Sequence, residues 1–190
     1  MSINKAIRKQ KKSYKRFMLT MSFIFLLLPT ILYFTHIFSP FFIVYLVFIE
    51  FLIILVMLIK ADKERLKFKI DTKMKIVNGI WGGRYVVPCD KVKMVHTYRE
   101  GKDLRIIVIL RNKFRNPKIK IIGPQFIRKN RWIKKYYEEL KSEDIYNQCY
   151  YFIIYKGGFM KYQLLDDIYR NCVQAYFTED CIKKIKEYRK

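Results

Sequence analysis

Residues 17–59 read FMLTMSFIFLLLPTILYFTHIFSPFFIVYLVFIEFLIILVMLI, with Glu50 the only formal charge among them. A bilayer core takes about 20 helical residues per crossing, so this run is too long for one pass and fits two. The break falls between Thr35 and Pro40, where THIFSP joins a Ser-Pro step to His36 and favours a turn. The reading is a helix over 17–37 and a second over 41–59. A secretory signal would close its apolar region after about 7–15 residues at a small-residue site. This run continues through bulky Phe, Leu and Ile instead, so no cleavage is expected.

Outward from that stretch, cations lie at both ends and not in the middle. The first sixteen residues, MSINKAIRKQKKSYKR, hold seven Lys or Arg and no acid. Lys60, Lys63, Arg65, Lys67 and Lys69 follow the second helix, and the turn between the helices has no Lys or Arg. Positive charge stays on the cytoplasmic side of a membrane, so both ends are expected there.

The whole chain has 190 residues and a formal net charge of +23, from 39 Lys or Arg against 16 Asp or Glu. Outside the apolar stretch the apolar fraction falls to roughly 44%, ordinary for a folded domain. An aromatic content of 17% argues against disorder, and four cysteines are too sparse for a disulfide scaffold. The length leaves no room for a large multidomain enzyme.

Glu50 falls near the middle of the second helix, where a carboxylate is costly unless protonated or paired. Its depth matches Pro29 and Thr30 on the first helix. Pro29 donates no backbone hydrogen bond and leaves the carbonyl about one turn earlier, near Phe25, without its usual partner. Three roles are open for Glu50: a packing contact with that carbonyl or with Thr30, contact with a polar group on a partner membrane subunit, and a proton or ion pathway, which the lack of a second intramembrane acid or base disfavours.

Past residue 60 the pattern shifts to period two. Leu66, Phe68 and Ile70 alternate with Lys67 and Lys69, which reads as a half-buried strand. Further strands are predicted over 74–77, 84–87, 92–98, 104–110 and 118–122, with turns at Asn78-Gly79, at 99–103 and at Asn116-Pro117. A helix is predicted over 124–140 from Phe126, Ile127, Ile133, Tyr136, Tyr137 and Leu140. A second strand group follows at 150–155, 159–164 and 168–177, with Asp166-Asp167 read as a solvated turn. A closing helix starts at Thr178, whose hydroxyl is expected to cap it. A loose echo aligns GGRYVVPCDKV (82–92) with GFMKYQLLDDI (158–168) and pairs Asp90 with Asp166, as a duplicated strand-and-helix unit would.

Catalytic chemistry finds no footing in the pattern. His36 and His96 are the only histidines, and Cys89, Cys149, Cys172 and Cys181 lack metal-ligand spacing. GxxxxGK[ST], GxGxxG and GxSxG are all missing. No catalytic residue, metal site or cofactor is expected. Charge is the remaining signal: Arg111, Lys113, Arg115, Lys118, Lys120, Arg128, Lys129, Arg131, Lys134 and Lys135 occur with no acid between them. In a domain tethered to a membrane, each such cation near anionic lipid contributes about 1 kcal/mol. Nucleic acid is the competing polyanion, with Phe114, Phe126, Trp132, Tyr136 and Tyr137 as candidate stacking groups, although such aromatics on a helix are more often core.

Two N-terminal apolar helices followed by LKFKIDTKMKIVNGIWGGRYVVPCDKVKMVHTY (66–98) resemble the bacterial membrane-anchored proteins with a pleckstrin-homology-like (PH-like) domain. Val87-Pro88-Cys89-Asp90-Lys91-Val92 occupies the "Val-Pro-x-Asp-x-Val" phrase of that family, and the likeness covers about residues 17–140. The resemblance implies a partly open barrel capped by a helix and used for binding rather than catalysis. It carries no particular ligand, since fold alone does not.

The expected protein is thus an α+β membrane protein. It has a basic arm (1–16), a transmembrane hairpin (17–59), a β-rich PH-like unit ending in a helix (60–141), and a second strand group with a C-terminal helix (142–190). Its expected role is that of a scaffold, subunit or assembly factor lying against anionic lipid, with membrane-tethered nucleic-acid binding through 111–135 as the alternative.

Overall fold

The computed structural model describes residues 3–36, 39–100, 103–130, 133 and 148–190, with the side chains of Glu100 and Lys129 outside that description. Helix α1 (Ile3–Thr35) begins well before the expected start and runs through the basic arm, the apolar stretch and Pro29. The arm is rich in Lys and Arg, both good helix formers. Ala6 and Ile7 near its start are buried in the domain, which fixes the arm as helix rather than a loose tail. His36 takes a left-handed conformation (φ 53°) just after α1, as a residue that ends a helix does. Helix α2 (Pro40–Glu64) opens on a proline in its first turn and continues one turn past the apolar run.

Both helices are long and apolar enough to cross a membrane, and the rest of the chain buries none of either helix's most apolar window. Phe34 and Phe41 are 74% and 72% exposed, and Phe23, Leu26, Val44, Phe48 and Phe51 are exposed as well.

Two sheets follow. Strands β1 (Leu66–Ile70), β2 (Lys73–Asn78) and β3 (Arg84–Pro88) form an antiparallel meander in the order β1-β2-β3. Their alternation is the predicted one: Leu66, Ile70, Met74, Ile76, Tyr85 and Val87 point inward, and Lys67, Lys69, Lys73 and Lys75 outward. A 3-10 turn (Cys89–Lys91) leads into β4 (Val92–Glu100), which pairs antiparallel with β5 (Asp103–Leu110). The second sheet is completed by β6 (Lys120–Ile121), β7 (Tyr150–Ile154) and β8 (Tyr176–Phe177), in the order β6-β7-β5-β4-β8. β7 lies between β6 and β5, so the last part of the chain is woven into the same sheet as the first. β8 runs parallel to β4.

Among the described residues, short helices with defined bounds cover these sheets: α3 (Pro124–Lys129), α4 (Met160–Asn171) and α5 (Glu179–Arg189). The main core lies between the meander, one face of the second sheet, α4 and α5; Ile106, Val108, Phe152, Leu164, Leu165 and Ile168 belong to it. The sheet's other face carries Met94, Ile107 and Ile109 under Ile122, Ile133 and Phe126.

The second half departs from expectation in several places. Residues 160–171, read as strand and turn, are helical. Leu164, Leu165, Ile168 and Cys172 recur along one side and sink into the core. Asp166, expected in a solvated turn, is 1% exposed within α4 and ion-pairs with Arg170 and Arg189 at 2.7 and 2.6 Å. Of the echo's two aspartates, Asp90 sits on the 3-10 turn and Asp166 in mid-helix. The helix predicted over 124–140 is interrupted at Asn130, whose side chain donates to the Phe126 carbonyl and whose backbone leaves helical geometry; Ile133 is helical again, and residues 131, 132 and 134–140 lie outside the description. Thr178 does precede α5, but its hydroxyl makes no capping bond and lies 3.0 Å from His96 Nδ1 instead.

Candidate functional site at the junction of helices and sheets

Arg65 is the only residue between α2 and β1. A single-residue connection gives the domain little freedom, and hydrogen bonds across it remove more. The Gly79 N–H donates to the Arg65 carbonyl (2.7 Å), and the Gly157 N–H donates to the Lys63 carbonyl (2.9 Å). Both glycines have positive φ, 79° and 94°. A Cβ at Gly157 would overlap the Leu66 side chain, so the close approach to α2 needs glycine here.

Asp62, on the last turn of α2, anchors the β2–β3 turn. One of its oxygens accepts the N–H groups of Ile80 (2.7 Å) and Trp81 (3.2 Å), and the other pairs with Lys156 Nζ. Burial opposes its ionisation. The Lys156 hydrogen bond, the Trp81 and Ile80 N–H groups and the Lys156 charge outweigh that and hold its carboxyl below the usual value. The fully buried Asn78 joins the two sheets behind this point: its side chain donates to the Ile153 carbonyl and accepts from the Lys156 N–H, each at 3.2 Å.

The α1 arm docks beside them. Gln10 accepts the Phe159 N–H (2.8 Å), donates to the Gly157 carbonyl (3.3 Å), and bonds Glu64 of α2. Lys60 pairs with Glu64 (3.4 Å) and lies over the Phe17 ring (5.9 Å). Four segments distant in sequence, around residues 10, 62–65, 79–81 and 156–159, therefore meet where the apolar helices enter the domain. Gln10, Asp62, Trp81 and Lys156 were not among the site residues expected from the sequence.

The predicted site residues distribute as follows. Thr30 is exposed and its hydroxyl donates to Leu26 of its own helix (2.7 Å) rather than to Glu50. Pro29 lies inside α1, and Glu50 is half-buried on α2. Arg111, Lys113 and Arg115 are exposed along the β5–β6 connection, and Arg128 is exposed on α3. Lys118 and Lys120 line one cleft together with Arg105. The Lys129 side chain and Arg131, Lys134 and Lys135 lie outside the described residues. Among the candidate stacking groups, Phe114 packs against the main core and the Phe126 ring sits 3.8 Å from that of Tyr151, so neither is a free platform for bases. Trp132, Tyr136 and Tyr137 are not described.

Three buried groups elsewhere, His96, Cys172 and Cys181, are held in their neutral forms. Burial pulls His96 down to about 4 against a smaller opposing effect of Asp180. Burial pushes the Cys181 thiol up to about 12 and raises Cys172 strongly, with Cys89 beside it adding to the effect. Among the described residues no three His, Cys, Asp or Glu side chains are placed to hold a metal ion. Comparison with protein-family models, curated proteins and solved structures found no match to this chain.

Proposed function

We propose that the chain is an integral membrane protein whose two apolar helices form a transmembrane hairpin. On this reading the hairpin rigidly presents a basic, PH-like cytoplasmic domain as a scaffold or subunit of a membrane complex. One observation carries the proposal: a pair of helices whose most apolar stretches stay unburied is fixed to a folded domain through Asp62, Gln10 and Gly157. An apolar surface that large is not stable in water and calls for lipid. A flexible tether would serve a domain that only needs to be near the membrane, whereas a fixed junction transmits orientation.

The PH-like assignment is supported by the antiparallel meander, the second sheet and the closing helix α5, with α4 as an addition to that plan. The positive ends favour a cytoplasmic location, and the exposed Arg111, Lys113, Arg115 and Arg128 favour anionic lipid nearby. A binding role rather than catalysis fits the protonated thiols and the neutral, buried His96. Glu50 makes no hydrogen bond or ion pair with the described residues, which suits contact with a partner helix or a second copy.

The test is a photo-crosslinking residue placed at position 50 in cells. Adducts to a discrete membrane protein, or to a second copy, are expected. Adducts to lipid alone would remove the partner role and leave only the anchor.

A further inference from the structure

The turn between β2 and β3 contains Gly79-Ile80-Trp81-Gly82-Gly83, with Gly79 and Gly83 at positive φ. Turns that face water are built mainly from Gly, Asn, Asp, Ser and Pro, yet this one carries an exposed Ile80 and a Trp81 that is 68% exposed. Neither side chain belongs to either core. The backbone at the tip is nevertheless paired: the Ile80 and Trp81 N–H groups donate to Asp62, and Lys118 Nζ donates to the Trp81 carbonyl. An apolar tip whose backbone is already hydrogen-bonded meets the main requirement for leaving water.

The height of this tip is fixed by the helices. Asp62 stands three residues beyond Ile59, the last residue of the apolar run, a helical rise of about 4.5 Å. The headgroup region on each side of the hydrocarbon core is about 5–8 Å deep, so Asp62 lies inside it if the run spans the core. Ile80 and Trp81 are held one hydrogen bond from Asp62 and share its level. Tyr14 stands three residues before Phe17, at the matching height on α1, and lines one groove with Ala61 and Ile80. Lys60 over the Phe17 ring fixes that register between the two helices. Tyr and Trp favour this level, where the ring meets apolar chains and its polar edge stays wet.

Resting on the membrane reading above, we infer that the β2–β3 turn is a third membrane contact, with the Ile80 and Trp81 side chains seated in the lipid interface of the leaflet from which α2 emerges. Lipid surrounds the helices at this height, so lipid is what an exposed tip beside them meets. A third point of attachment, pinned to α2 through Asp62, restrains the tilt of the domain against the bilayer.

The experiment uses the full chain in nanodiscs of phosphatidylcholine brominated either just below the headgroup or near the acyl methyl end. The Trp81 signal is the difference in fluorescence between the native chain and Trp81→Phe. The mid-bilayer reference is the signal added by Phe48→Trp, since Phe48 is exposed and lies about 16.5 Å of helical rise inside Ile59. Shallow bromines are expected to quench Trp81 at least about 2-fold more than deep ones, with the reverse order at position 48. Ile80→Trp, placed in the Trp81→Phe background, is expected to follow Trp81. Any other order at position 80 or 81, including no quenching there while position 48 is quenched, would overturn the inference and leave the tip to water or to a protein. Position 48 quenched by neither lipid would instead defeat the membrane reading, and the inference with it.

Discussion

The Asp62 carboxylate on the last turn of α2 pairs with Lys156, a residue 94 positions away on the turn after β7. The same carboxylate holds the β2–β3 turn through two backbone N–H groups. One side chain thus ties the apolar helices to both sheets, and the orientation of the domain relative to the helices depends on it.

Replacing Asp62 with Asn keeps the shape and removes the charge. Lys156 is then left partly buried without its partner, and the loss is about 1–3 kcal/mol. Hydrogen exchange in detergent should show faster exchange of the Ile80 and Trp81 amides, with little change at Ile107 in the sheet centre. Unchanged protection at Ile80 and Trp81 would show that the junction does not rely on this carboxylate.

Gly157 carries a second, independent prediction. Its φ of 94° and the Leu66 side chain leave no place for a Cβ, so Gly157→Ala should cost about 1–3 kcal/mol and lower the thermal midpoint of the detergent-solubilised protein. Gly123, which has open space around it and no positive φ, should accept alanine with little effect.

His96 makes stability pH-dependent. It is 5% exposed, and burial holds its folded-state pKa at about 4, below the ordinary histidine value of 6.5. The unfolded chain therefore binds the proton first as pH falls. This contribution is fully present above about pH 6.5, declines as pH falls toward 4, and costs at most about 3 kcal/mol below that. Denaturant midpoints measured between pH 7 and 4 should fall, and a His96→Gln variant should flatten the curve. An equal slope in the variant would assign the effect to other groups.

How much of this could be read from the chain depends on where each residue's partners lie. The alternation of Leu66, Phe68 and Ile70 with Lys67 and Lys69 is self-contained, because each residue's environment follows from its own parity along the strand. Helix α4 was hidden by two polar residues on its buried side. Lys161 donates to the Tyr155 carbonyl (3.0 Å) and Asp166 pairs with Arg189, so their burial is compensated by groups that the local pattern does not reveal. The junction was hidden for the same reason: Asp62 follows an apolar run like any flanking acid, and its meaning comes from residues 80, 81 and 156. The α1 arm gave only a few scattered apolar residues within a run of cations, and nothing in that pattern marked Ala6 and Ile7 as the buried ones.

Cys89 and Cys172 test the packing of the second half directly. Their sulfurs lie 2.7 Å apart, joining the turn after β3 to the end of α4. Diamide treatment should produce a single intrachain crosslink between them, slowly because both are buried and the Cys172 thiol is held protonated. Mass spectrometry of the non-reduced digest identifies it; a crosslink involving Cys149 or Cys181 instead would contradict the placement of α4.

The central claim, a hairpin with both charged parts on one side of a membrane, is tested most directly by one labelling measurement. Lys12→Cys, Ser39→Cys and Lys186→Cys are introduced singly and exposed to an impermeant maleimide in inside-out and right-side-out vesicles. The native cysteines are all buried, so the unsubstituted chain serves as background. The account predicts that positions 12 and 186 label only in inside-out vesicles and position 39 only in right-side-out ones. Labelling of all three positions from the same side would contradict it.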